Sequence, residues 1–339
     1  MRRPAALAAA LAAVVVASAA GAEDLARNVP IPGGQKGIGF DDLGFSPSLR
    51  RILVPAGRTG ALVLLDPVSR SLEVIAGFTA RKDFRGGHGE GITSVTEGEG
   101  LLFVTDRDTK QLAAVDPATR RVLSRTPLAS SPDYVRFVAA TREIWVTEPD
   151  ADRIEIFRLR EPGDAPVFAG FIAVEGGPES LVVDAGRGVA YTNLWSGATL
   201  AIGTKSRATV SRWQNGCRGS RGLALDAKRG FVFVGCAEGR AVSLEAGSGR
   251  QLDRLDAGEG VDIIDFDPGL SHLYLPGGKS ATMAILEVSP HGKLGLLRTV
   301  ATAPGGHCVV SDGAGHVFVC DPAKGRLLAF GDEPARRKK

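Results

Sequence analysis

The sequence predicts an all-β fold, a seven-bladed β-propeller of four-stranded antiparallel blades. Three observations predict it: one four-strand meander, its recurrence along the chain, and an outer strand missing from the last unit. The meander is Gly222 to Leu255. Its apolar runs Leu223-Ala-Leu, Phe231-Val-Phe-Val, Ala241-Val-Ser-Leu and Gln251-Leu-Asp-Arg-Leu are too short for helices. Between them stand Asp226-Ala-Lys-Arg-Gly, Gly235-Cys-Ala-Glu-Gly and Glu245-Ala-Gly-Ser-Gly, which supply the glycines and small polar residues of hairpin turns. One such sheet buries too little apolar surface to stand alone.

The meander recurs. Its second strand returns as Ile52-Leu-Val, Leu102-Phe-Val-Thr, Ile144-Trp-Val-Thr, Val189-Ala-Tyr-Thr, Leu273-Tyr-Leu and Val317-Phe-Val. The period is about 44 residues, the length of a four-stranded propeller blade. Seven second strands give seven blades, with first strands expected near residues 43, 92, 135, 181, 223, 264 and 309. The last unit stops at Gly331-Asp-Glu-Pro without a fourth strand, and the segment 25–32 reads as an outer strand with no blade of its own. Exposed sheet edges invite aggregation, so 25–32 is expected to complete the last blade and close the ring.

Length and charge fit one ring. The chain has 339 residues, and its net charge of +3 carries no polyanion-binding bias, so nucleic acid is not an expected partner. Residues 1–22 read as a secretory signal peptide: Arg2-Arg3, an Ala/Val/Leu run, then Ala20-Gly21-Ala22. Residues 23–334 are expected to form a single propeller domain and 335–339 a basic tail. No other apolar stretch approaches membrane-spanning length. The mature chain is expected to be a periplasmic or secreted monomer.

Leu102-Phe-Val-Thr-Asp, Ile144-Trp-Val-Thr-Glu, Tyr191-Thr-Asn and the turn Val115-Asp-Pro-Ala-Thr-Arg-Arg-Val resemble the YVTN-type β-propeller repeat proteins of bacteria. The resemblance spans the whole mature chain. It implies an exported seven-bladed ring and brings no catalytic residue with it.

Function is sought where the first strands begin and the second strands end, because both open on one face. Two positions before the first apolar residue of each unit stand Asp41, Glu90, Asp133, Glu179, Arg221, Asp262 and His307. All seven are ionisable and five are carboxylates. His88 and Asn193 belong to the same face. Two readings stay open. These residues are either solvated strand ends or an acidic mouth that receives a ligand: a cation, a cationic small molecule or a basic segment of a partner protein. Converging carboxylates repel unless a cation relieves them, so Glu90, Asp133, Glu179 and Asp262 are the candidate ligands of Ca²⁺ or another divalent ion. That arrangement would support a metal-dependent hydrolase similar to gluconolactonase- and paraoxonase-type propellers, acting on a lactone or ester. The main expectation is a non-catalytic binding or scaffold module with no assigned cofactor, and the hydrolase is its alternative.

Cys217, Cys236, Cys308 and Cys320 suit an oxidising compartment. Strand register pairs Cys308 with Cys320 and Cys217 with Cys236. His272, His291 and His316 are expected in solvated turns, Trp145 and Tyr191 in the core, and Trp195 in packing between blades, with the rim of the mouth as its alternative place. Gly277-Gly-Lys-Ser lacks the upstream glycine of a P-loop, and no G-x-S-x-G, C-x-x-C-H or H-E-x-x-H occurs.

Overall fold

The computed structural model describes residues 26–161 and 163–332. The leader and the basic tail expected at residues 1–22 and 335–339 lie outside them. The described residues form seven four-stranded antiparallel sheets. Blade 1 runs Gly44–Ser46, Arg51–Pro55, Thr59–Leu65 and Leu72–Ala80. Blade 2 runs Ile92–Gly98, Leu101–Asp106, Gln111–Asp116 and Arg121–Pro127. Blade 3 is Val135–Val138, Glu143–Glu148, Arg153–Arg158 and Val167–Ala173, and blade 4 is Val182–Asp184, Val189–Leu194, Ala198–Gly203 and Ala208–Gln214. Blade 5 holds Ser220–Asp226, Phe231–Cys236, Arg240–Glu245 and Gln251–Asp256, and blade 6 holds Asp265–Asp267, His272–Gly277, Thr282–Val288 and Leu294–Ala301. Blade 7 takes Val309–Ser311, His316–Asp321 and Arg326–Gly331 from the end of the chain and Arg27–Pro30 from its beginning. The ring closes as the missing strand implied, with Val29 opposite Leu327.

The turns explain the repeat. In Asp116-Pro-Ala-Thr-Arg120 the Asp116 carboxylate accepts the backbone N–H of Ala118 (2.9 Å) and Thr119 (3.3 Å), and Arg120 finishes the turn at φ 57°. Asp66-Pro-Val-Ser-Arg70 does the same, with Asp66 accepting Val68 and Ser69 and Arg70 at φ 61°. A short carboxylate at the first turn position stands in for a backbone acceptor, which fixes the hairpin without glycine. Second and third strands are buried and aliphatic, and blades pack face to face around Phe103, Trp145, Phe157, Tyr191 and Phe233. Trp145 and Tyr191 are core residues, as expected. No helix among the described residues is long and apolar enough to cross a membrane.

Both disulfides form with the pairing that register requires. Cys308 and Cys320 face each other one step beyond the Val309–Val319 pair, with Cα atoms 5.6 Å apart. Cys217 and Cys236 are 5.3 Å apart. Mapping of the non-reduced protein should return these two pairs, and each Cys→Ala pair should cost about 3 kcal/mol by loop entropy. A Cys236–Cys308 link would contradict the register.

One histidine departs from expectation. His272 is not solvated but 3% exposed. Its Nδ1 lies 2.6 Å from Asp332 Oδ2, and Tyr274 donates to the same oxygen at 2.8 Å. Asp332, just past the last strand of blade 7, thereby ties that blade to blade 6. The turn position of His272 was visible in the sequence, but the neighbouring blade that covers it was not.

Candidate functional site at the channel mouth

The blades place the start of each first strand beside the end of its second, and at this end of the channel a cavity of about 810 Å³ opens. Asp41, His88, Asp133, Glu179, Arg221, Asp262 and His307 line it. Glu90 and Asn193 do not. Glu90 turns toward Arg85, whose Nε is 3.7 Å from its Oε1. Asn193 is fully buried and pins blade 4 to blade 5, donating to the Arg221 carbonyl (2.6 Å) and accepting from Thr199 (2.8 Å). Close backbone contact between blades fixes the ring of side chains. A Cβ on Gly222 would lie 2.4 Å from the Asp262 carbonyl oxygen, and one on Gly39 would lie 2.3 Å from the Gly87 oxygen, beside His88.

The lining groups form two walls. On one, His88 Nδ1 is 3.2 Å from Asp41 Oδ2, and Arg107 Nη2 is 3.1 Å from the same oxygen. Arg107 also contacts Asp133 and donates to the Pro132 carbonyl at 2.8 Å. On the other, Glu179 receives Arg221 at 3.0 Å and the Trp195 indole N–H, and the Arg221 guanidinium lies 5.4 Å from the Trp195 ring centre. Tyr134, 5% exposed, lines both this cavity and a second one of about 530 Å³ deeper in the channel, where Asp42 and Arg136 form a bidentate pair. The mouth is therefore a lattice of opposite charges, more balanced than a count of its carboxylates suggests.

Burial and pairing set the protonation states. Burial pushes Asp41 up, but His88 and Arg107 outweigh it and hold the carboxyl below its usual range. Asp133 is pushed well up, by burial first and then by the like charges of Asp41 and Glu179. Glu179 is raised by burial and by Asp262. The Asp41 charge, its hydrogen bond and Asp262 raise His88 to about 9, so the ring is an imidazolium at neutral pH. The folded state thus binds a proton that the unfolded chain releases near pH 6.5. This contribution to stability is full below about 6.5 and is lost as pH rises through about 9. An NMR titration of the chelator-treated protein should find His88 titrating near 9, and Asp41→Asn should move it toward 6.5. A wild-type value near 6.5 would contradict the pairing.

Of the mouth residues, sequence reasoning missed Arg107 and gave the rim only as the second place for Trp195. Arg107 and Trp195 occupy the position just after the second strand, which in other blades holds Ala56, Pro149, Ala237, Gly278 or Pro322. Registering the repeats on that position as well would have set these two large side chains apart. Trp195 rims the cavity at 47% exposure, with its ring beside Arg221 of the next blade.

The four candidate carboxylates for Ca²⁺ do not converge as a set. Among the described residues, Glu90, Asp133, Glu179 and Asp262 bring no three ligand atoms within 4.8 Å of one another. Arginines hold Asp133 and Glu179, and Glu90 lies outside the cavity. Two other groups do converge. His307, Cys308 and Cys320 are one, but there the two sulfurs are bonded to each other. The second is His88, Asp262 and His307.

No protein-family model and no curated protein matches the chain. Solved structures do. A chain of a mitotic checkpoint complex superposes with a TM-score of 0.75 at 12% identity, covering 97% of this chain and 99% of that one. The β-propeller domain of Myceliophteria thermophila Cps50 (Swd1) superposes with a TM-score of 0.73 at 10% identity, covering 92% and 100%. Kuenenia stuttgartiensis hydrazine synthase gives 0.71 at 11% identity, covering 88% and 96%. They share the fold alone. At such identity a common propeller says nothing of ligand or activity, because unrelated functions are built on it.

Proposed function

We propose that this chain is an exported, non-catalytic binding propeller of the YVTN type, acting as a monomer, whose ligand seat is the channel mouth. The observation that carries the reading is the 810 Å³ cavity, whose buried acids Asp133 and Glu179 already face Arg107 and Arg221. Its volume falls within the range of small-molecule sites, about 300–1,000 Å³. Preformed ion pairs hold donors and acceptors in place for a polar ligand. Trp195 adds an exposed flat face beside Arg221, suited to a ring or apolar segment next to a charged group. The expected ligand is a zwitterionic or mixed-charge small molecule, or a partner segment of that chemistry. Export is supported by the pattern of residues 1–22 and by the two disulfides.

The test is a thermal-shift panel of amines, carboxylates, zwitterions and aromatic acids on the mature protein in chelator. At least one class should raise the melting temperature of the wild type but not of Trp195→Ala or Arg221→Gln. Turnover of a lactone or ester by the wild type, lost in Asp133→Asn, would replace the binding module with an enzyme.

A further inference from the structure

Three blades bring a nitrogen-rich donor set to one point of the mouth. His88 comes from the loop before blade 2, Asp262 from the segment before blade 6 and His307 from the segment before blade 7. One ligand atom from each lies within 4.8 Å of the others, and the two imidazole rings are 5.2 Å apart. We propose that His88, Asp262 and His307 form a three-ligand site for a divalent transition ion of the Zn²⁺ or Cu²⁺ class, with an open position facing the cavity. The proposal rests on the mouth being the ligand seat and names one part of what it holds.

The geometry carries it in three ways. First, His88 Nε2 and Asp262 Oδ2 are 3.9 Å apart, and two ligands of a tetrahedral ion with bonds of about 2 Å stand about 3.3 Å apart. That pair would have to close by about 0.6 Å, and the pairs with His307, within 4.8 Å, by up to about 1.5 Å. Second, the far nitrogen of His88 is already oriented. Its Nδ1 faces Asp41 Oδ2 at 3.2 Å, the carboxylate–histidine arrangement that keeps a proton on Nδ1 and aims the other nitrogen at a metal, which binds there in exchange for the Nε2 proton of the imidazolium. Third, His307 has backbone acceptors at both ring nitrogens, Gly305 O at 2.6 Å from Nδ1 and Phe40 O at 3.0 Å from Nε2. Binding the ion exchanges one of these two carbonyl contacts for the metal, while the other holds the ring.

Donor chemistry chooses the ion. Two imidazoles and one carboxylate suit Zn²⁺, Cu²⁺ or Ni²⁺, whereas Ca²⁺ and Mg²⁺ call for oxygen ligands. Three protein ligands leave a fourth position for water or for an anionic group of the cavity's ligand. The site thus differs from the carboxylate cage in both residues and metal.

The experiment uses the mature, disulfide-bonded chain and the metal alone. Calorimetry with Zn²⁺ should show one ion per chain, and Cu²⁺ should give an electron paramagnetic resonance spectrum with hyperfine splitting from two imidazole nitrogens. His88→Gln and His307→Gln should each weaken binding at least tenfold and reduce the coupled nitrogens to one. His291→Gln and His316→Gln should leave both readouts unchanged. Asp41→Ala should weaken binding about 10- to 100-fold while keeping two coupled nitrogens, as a positioning residue does. Both ligand histidines are partly exposed, so these variants should fold, and metal-free melts check that they do. No stoichiometric binding by the wild type, or tight binding that survives His88→Gln and His307→Gln, would overturn the site. An organic ligand captured in chelator alongside either result would leave the binding module standing and remove the metal alone.

Discussion

Deleting residues 26–31 should lower the melting temperature by about 10 °C and make the protein aggregate on heating. The deleted strand pairs Arg27, Asn28, Val29 and Pro30 with Ala329, Leu328, Leu327 and Arg326, and Ile31 adds a bond to the Gly325 carbonyl at 3.1 Å. Val29 and Ile31 are 3% and 2% exposed within the largest apolar cluster. Two buried aliphatic side chains contribute about 1.5–3 kcal/mol each, and the ladder about 1 kcal/mol per bond. The sum, about 5 kcal/mol or more, is a large part of the 5–15 kcal/mol by which domains are stable. At this chain length each kcal/mol is worth about 2 °C. The deletion also bares the Arg326–Gly331 edge, which can then pair with another chain. Thermal melts followed by light scattering decide the matter. A truncated protein that melts with the intact one and stays clear would mean that the ring closes without this strand.

Arg136→Met should cost about 3–5 kcal/mol, because it strands a buried carboxylate. Asp42 is 2% exposed. Arg136 Nη1 and Nη2 meet its two oxygens at 2.5 and 2.9 Å, and Ser94 donates to it at 2.5 Å. Asp42 lies just before blade 1, Ser94 in blade 2 and Arg136 in blade 3, so one carboxylate ties three blades across the channel. Removing the guanidinium leaves the hydroxyl of Ser94 as the remaining side-chain donor, and one neutral donor does not offset a desolvated charge. The double variant Asp42→Asn/Arg136→Met removes the stranded charge and should recover at least half of the loss. Urea melts of the four proteins give the cycle. If Arg136→Met stays within about 0.5 kcal/mol of the wild type, as an ordinary surface substitution does, the pair does not hold the channel together.

Local sequence determined much of this protein. Period-two strands and Asp-Pro turns that accept their own backbone N–H groups are written within a few residues, so blade number and strand order follow from repetition. The closing strand and the disulfides followed too. Each depends on register between strands of one blade, which side-chain alternation specifies. The mouth was legible as positions and not as partnerships. Counting back from each first strand found Asp41, Asp133, Glu179, Asp262 and His307, but the same count included Glu90, which turns away from the cavity.

Only the tertiary structure decided which groups meet. Arg107 reaches Asp41 and Asp133 in neighbouring blades, Arg136 reaches Asp42 across the channel, and His272 is buried by Asp332 from the next blade. The residues of each pair lie 26 to 94 positions apart in the chain. The physical reason is reach. Hydrogen bonds and ion pairs act over about 3–4 Å, whereas local pattern governs only neighbours along the strand or turn. What sets those distances is the packing of one blade on the next, through contacts such as Gly222 against Asp262. The same packing brings His88, Asp262 and His307 together, although no spacing in the chain announces a metal site.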